Sequence, residues 1–209
     1  MKIVFINGSP KKKKSVSEKI IASLSARMPA AHEYVYCSSS SDTGEILSAI
    51  KNADALVFAF PLYVDGLPAR LVQFLDEAAK DGISDIAPGA KVYAVVNNGF
   101  YEARQNATAL LIMKSFCGHS GLSWAQGAGI GAGPMISSVA IGQGPLKRLG
   151  RALDTLAENI CSLAAAEDLF VEPGIPRFLY NLSGNHMWKK AAKKRGLKVK
   201  DLYSTDNFS

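Results

Sequence analysis

Two apolar runs limit this chain more than any other feature. Ala55-Leu56-Val57-Phe58-Ala59-Phe60 and Val92-Tyr93-Ala94-Val95-Val96 do not alternate with polar residues. A strand that faces water on one side shows period-two alternation, so these two strands are covered on both faces. That requires a parallel sheet sandwiched between helices. The rest of the chain fits the requirement. Strands are predicted at 2–7, 33–37, 54–60, 91–97 and 122–130, and helices at 15–28, 43–52, 67–80, 102–118 and 146–166. In the last helix Leu149, Leu153, Leu156, Ile160 and Leu163 recur at three- and four-residue steps, an amphipathic stripe. This βα alternation predicts an α/β fold, a doubly wound five-stranded parallel sheet in a three-layer α/β/α sandwich. Ligands of such sheets sit beyond the carboxyl ends of the strands, where the strand order reverses.

The first of those ends is MKIVFINGSPKKKKS, residues 1–15. An apolar strand runs into the turn Asn7-Gly8-Ser9-Pro10, and a helical pattern opens near Ser15. Loop amides and first-turn N–H groups point outward there, and the helix dipole favours negative charge. Ser9, Ser15 and Ser17 add hydroxyls and Lys11 to Lys14 add positive charge, so a phosphate is the expected guest. Lys14-Ser15 echoes the end of the P-loop G-x-x-x-x-G-K-[ST], but lysine stands at position 13 where its second glycine belongs. This argues against a nucleoside triphosphatase.

Two more strand ends carry unusual residues. FPLYVDGLPARL follows the strand at 54–60, and NNGFYEARQ follows the strand at 91–97. They supply Pro61, Tyr63, Phe100 and Tyr101 on turns that Gly66 and Gly99 allow to bend or approach closely. A phosphate cradle beside two aromatic turns suits a flat ring with a phosphate tail. Gly127, Gly129, Gly131 and Gly133 lack the G-x-G-x-x-G spacing and read as a tight crossover or flap after the fifth strand.

Composition narrows the class. The 209 residues suffice for one domain with a core, and no apolar run reaches the ~18 residues of a membrane span. Cys37, Cys117 and Cys161 are scattered, without a CxxC pair, and His32, His119 and His186 share no ligand spacing. No metal site is therefore expected, Cys117 reads as core, and a reducing cytoplasm is the expected location. The start of the chain, one lysine and then a strand, does not read as a signal peptide. The net charge of +6 is a property of the C-terminal end. Residues 1–172 carry 16 basic and 16 acidic side chains, whereas 173–209 carry eight and two. Residues 173–209 are expected to be a basic C-terminal appendage packed on the 1–172 domain. Phe178, Leu179, Tyr180, Leu182, Leu197 and Val199 would give it apolar docking surface, and Trp188 would be largely buried.

GSPKKKKS, PLYVDGLPA and NNGFYEA resemble the corresponding loops of the flavodoxin-like NAD(P)H-dependent FMN reductase and quinone reductase superfamily. The likeness covers roughly residues 1–166, and its second motif is the most specific. It implies a flavodoxin-like fold with FMN as cofactor and NAD(P)H as co-substrate. Hydride would pass from NADH or NADPH through FMN to a small-molecule acceptor such as a quinone or flavin. By the same resemblance Ser9, Lys11, Ser15, Val16 and Ser17 would hold the phosphate. Pro61, Leu62, Tyr63 and Val64 would line the ring, and Asn97, Asn98, Gly99, Phe100 and Tyr101 would meet its pyrimidine side. Backbone N–H groups of the 97–101 loop would oppose charge growing there. No catalytic side chain is called for, since the chemistry belongs to the cofactor. With no second fingerprint for an adenosine half, FMN is expected rather than FAD. The compact cysteine cluster of the iron–sulfur branch is missing, because Cys37 stands alone. The likeness also implies a homodimer, in keeping with the apolar helix at 102–118.

Two other classes compete with this reading. A flavodoxin-type FMN electron carrier would share the fold, but such carriers are strongly acidic and the first 172 residues are neutral. A nucleic-acid-binding or regulatory module would use the basic end, where Arg177 to Lys200 contain no acidic residue. Many such runs are solvated helix faces, so nucleic acid is the less favoured partner.

Overall fold

A computed structural model describes residues 1–11, 13–29 and 31–203. The chain divides into two units, Met1–Gly174 and Ile175–Ser209.

The first unit alternates strands β1 (Ile3–Asn7), β2 (His32–Tyr36), β3 (Ala55–Pro61), β4 (Lys91–Asn97), β5 (Ser123–Ile130) and β6 (Leu169–Val171) with helices. These are α1 (Val16–Ser25), α2 (Thr43–Ile50), α3 (Ala69–Lys80), the short α4 (Ile83–Ile86), α5 (Ala107–His119) and α6 (Lys147–Cys161). The strands form one parallel sheet in the order β2-β1-β3-β4-β5-β6. This is the doubly wound order of flavodoxin-like folds, extended by one edge strand. The expected five strands are thus six. β6 is three residues long and only partly buried, too short to carry a pattern of its own.

Side chains alternate across each strand, which divides the core in two. Val4, Ile6, Leu56, Phe58 and Phe60 pack with Leu71 and Phe74 of α3 and Leu110 and Met113 of α5. Ile3, Phe5, Val57 and Val95 point the other way, onto Ile20 and Leu24 of α1 and Leu149, Leu153, Leu156 and Ile160 of α6. β1, β3 and β4 lie between the two layers, which is why their runs do not alternate. α6 stops at Cys161, short of the expected 166, because Leu163 turns to φ +54°. Cys117 is buried, as its apolar setting suggested, and burial pushes its thiol up to about 12 and that of Cys37 up to about 11.

Gly127 and Gly129 lie inside β5, not after it. A Cβ on Gly127 would meet Leu110 Cδ2 at 2.8 Å, and one on Gly129 would meet Phe170 Cδ1 at 2.9 Å. These glycines therefore make room against β5 for the side chains of Leu110 from α5 and Phe170 from β6. The pattern reports packing rather than a flap.

The second unit contains helix α7 (Arg177–Lys194) and a 3-10 turn at Val199–Tyr203. Trp188, expected to be largely buried, is 64 % exposed, and Phe178 and Leu182 are exposed as well. Among the described residues no helix is long and apolar enough to cross a membrane, and no cluster of side chains could hold a metal.

Candidate functional site

The order β2-β1-β3-β4 places the ends of β1, β3 and β4 side by side. The three loops of interest leave the sheet there, at the point where strand order reverses. The backbone joins them directly. Gly8 N–H donates to Ala59 O at 2.9 Å, and Leu62 N–H donates to Asn97 O at 2.8 Å.

In the first loop the side chains mostly shape backbone. Ser9 and Ser15 are buried. Ser9 N–H donates to Asn7 Oδ1 at 3.0 Å, and Lys11 N–H donates to Ser9 Oγ at 3.3 Å. Ser15 is the N-cap of α1 and accepts the Glu18 N–H at 3.0 Å. The N–H groups of Val16 and Ser17 have no intrahelical acceptor, because they open the first turn. They are the donors that a phosphate would engage. Lys11 is exposed at the rim, and Lys12 of the lysine run lies outside the described residues.

Asn97 links all three loops. It is buried, and its Nδ2 donates to Ser17 Oγ at 3.1 Å and to Phe60 O at 3.1 Å. Asn98 is also buried. Its Oδ1 accepts Phe100 N–H at 2.9 Å and its Nδ2 donates to Glu102 O at 3.1 Å. Its own N–H donates to Ile130 O at 3.0 Å. The amides of Asn98 and Phe100 are thus engaged inside the fold. The side chains of both asparagines likewise have partners within the scaffold.

The exposed groups are Tyr63, Val64, Gly99 and Phe100, with Pro61, Leu62 and Tyr101 half-buried beside them. Tyr63 and Gly66 close a two-residue hairpin through Tyr63 N–H to Gly66 O at 3.0 Å and Gly66 N–H to Tyr63 O at 2.9 Å. Its central residues Val64 and Asp65 both have positive φ, +47° and +56°. That is a type I′ turn, which ordinarily takes Asn-Gly. A β-branched residue there is strained. Val64 is also 102 % exposed, so nothing in the fold packs on the side chain that incurs the strain.

Sequence reasoning passed over Glu18 and Tyr36. Glu18 accepts Lys14 N–H at 2.5 Å on one carboxylate oxygen and Tyr36 O–H at 3.0 Å on the other. The signal was present as Ser15-x-x-Glu18, a capping box. A cleft of about 370 Å³ between α1 and residues 136–141 is lined by Lys19 and Ser23, not by the aromatic turns.

An open first turn with serines thus lies beside exposed aromatic and apolar turn residues at the carboxyl edge of a doubly wound sheet. The chain belongs to the family described as having a flavodoxin-like fold, which it matches over residues 1–128. Comparison with curated proteins returned no match. Among solved structures, the chain is similar to an NADPH-quinone reductase from P. pentosaceus, at 16 % identity and a TM-score of 0.59, covering 77 % of this chain and 99 % of that one. It is similar to an NADH:FMN oxidoreductase at 18 % identity and a TM-score of 0.56, covering 84 % and 96 %. It is also similar to general stress protein 14 of Treponema denticola, solved in complex with FMN, at 13 % identity and a TM-score of 0.52, covering 76 % and 98 %. At these identities the likeness establishes the fold.

Proposed function

We propose that the protein is an FMN-dependent NAD(P)H oxidoreductase that reduces a quinone, a flavin or a similar small acceptor, working as a cytoplasmic homodimer. The observation that carries the reading is the convergence of three strand-end loops. One offers uncapped first-turn amides, and the other two offer exposed Tyr63, Val64 and Phe100. These residues fit FMN. The N–H groups of Val16 and Ser17, with Lys11 nearby, would hold its phosphate. Tyr63, Val64 and Phe100 would lie against its ring, and Pro61, Leu62, Gly99 and Tyr101 would border it. Ser9, Ser15, Ser17, Asn97 and Asn98 fix the loops that carry these groups. FMN, when bound, supplies the hydride chemistry. The chain's own part is to orient the ring and leave one side open to small molecules, and no side-chain acid or base is needed. The activities of the similar solved structures, quinone reductase and FMN oxidoreductase, support the class.

The competing reading, an electron carrier without a substrate of its own, predicts no turnover with a nicotinamide. After reconstitution with FMN, the protein should oxidise NADH or NADPH when a benzoquinone is present. FMN binding without oxidation of either nicotinamide would favour the carrier.

A further inference from the structure

Glu18 is a fixed negative charge inside the loop that is read as a phosphate site. One carboxylate oxygen takes the Lys14 N–H at 2.5 Å, a charge-assisted bond, and Tyr36 O–H holds the other at 3.0 Å. Its own N–H is tied to Ser15 Oγ at 3.0 Å, and Lys14 has φ +60°. The carboxylate is thus held from two sides and half-buried, not swinging in solvent. It engages a loop amide one residue before the N-cap, and the open N–H groups of Val16 and Ser17 follow directly. An external phosphate on those donors must therefore sit beside a like charge that cannot easily move away. Tyr36 belongs to the edge strand β2, where it stacks edge-on against Tyr34, at 4.8 Å between ring centres, and Tyr34 O–H accepts from Asn7 Nδ2 at 2.7 Å. The carboxylate's position is therefore braced by the sheet as well as by the loop.

We propose that Glu18 is the specificity-determining residue of this site: it occupies the loop as an internal anion and weakens phosphate binding, so that a phosphorylated ligand is held in exchangeable fashion. The proposal rests on the reading of the first loop as a phosphate site. A like charge bonded to the residue before the N-cap, and half screened by water, repels a phosphate on the first turn enough to change affinity on the order of tenfold. Glu18→Gln keeps the size of the side chain and its ability to accept the Lys14 N–H while removing the charge. Glu18→Ala removes both the charge and the clasp.

The test compares wild type, Glu18→Gln and Glu18→Ala by titration with FMN and with riboflavin, which has the ring but no phosphate. FMN should bind Glu18→Gln about tenfold more tightly than wild type. Riboflavin affinity should be equal in the two. Glu18→Ala should follow in the same direction for FMN. Unchanged or weaker FMN binding by Glu18→Gln overturns the proposal, as does an equal gain for riboflavin. Inorganic phosphate alone, read by thermal shift, separates this idea from the flavin reading. Greater stabilisation of Glu18→Gln than of wild type supports the proposal even if neither flavin binds, and equal stabilisation overturns it.

Discussion

Val64 combines, within one residue, a strained backbone and a side chain that nothing in the fold covers. Its φ of +47° costs a β-branched residue about 1–2 kcal/mol, and its side chain touches nothing in the fold. Glycine relieves that strain and returns part of the gain as unfolded-chain entropy. Val64→Gly should therefore raise the melting temperature by about 2–4 °C, a gain of roughly 1 kcal/mol in a chain of this size. It should also weaken FMN binding several-fold, because the exposed isopropyl group is lost from the ring site. A thermal melt and an FMN titration of the same sample check both effects, and a stabler variant with unchanged affinity would remove Val64 from the site. The three loops that the fold brings together were legible in the sequence, but the directions of their side chains were not. Motif and resemblance picked out Asn97 and Asn98, yet these side chains hold the loops together instead of presenting donors outward. Which way an amide side chain points depends on neighbours from distant parts of the chain. The acceptors that fix Asn97, Ser17 and Phe60, lie 80 and 37 residues away. Glu18 escaped notice for the opposite reason. Its partners Lys14 and Ser15 are local, and a capping box reads as helix punctuation and not as part of a binding loop; Tyr36, its third partner, lies 18 residues away on β2.

At the scale of elements, the sequence specified those with strong periodicity or full burial. β1, β3, β4 and β5 fall within a residue or so of expectation, because a run covered on both faces has only one way to be buried. Two of the failures share a cause. β6 has three residues and α4 four, too few to show a period. The helix expected at 102–118 begins instead as a 3-10 turn at Ala103–Asn106 and becomes α5 at Ala107. The glycines around β5 were visible, but their reason was not, since the atoms they make room for come from other elements. Gly131 is the sharpest case. A Cβ there would lie 2.2 Å from Tyr101 O, in the loop that carries Phe100, and the adjacent Ala132 N–H donates to Phe100 O at 2.5 Å. The backbone after β5 thus sets the position of the loop after β4. Gly131→Ala must push that loop away, at a cost of typically 1–3 kcal/mol. The melting temperature should fall by about 5 °C, and FMN affinity should fall with it. Wild-type stability together with wild-type affinity would show that the two loops are not coupled in this way.

At the level of the whole chain, the excess charge and the candidate site fall in different segments of the sequence. The first 172 residues are balanced in charge, and the excess lies in residues 173–209. A flavodoxin-like unit with balanced charge lacks the net negative charge that would steer it to a strongly basic protein partner. The proposed chemistry depends on FMN held at these strand ends. The most direct measurement is the identity of the flavin that the purified protein carries or takes up. It would be read from the visible absorption spectrum and then from the mass of the ligand released by heat. With FMN at the strand ends, the spectrum is that of oxidised flavin and heat releases FMN in equimolar amount, before or after reconstitution. Release of FAD, or no bound flavin even after incubation with excess FMN, would contradict it.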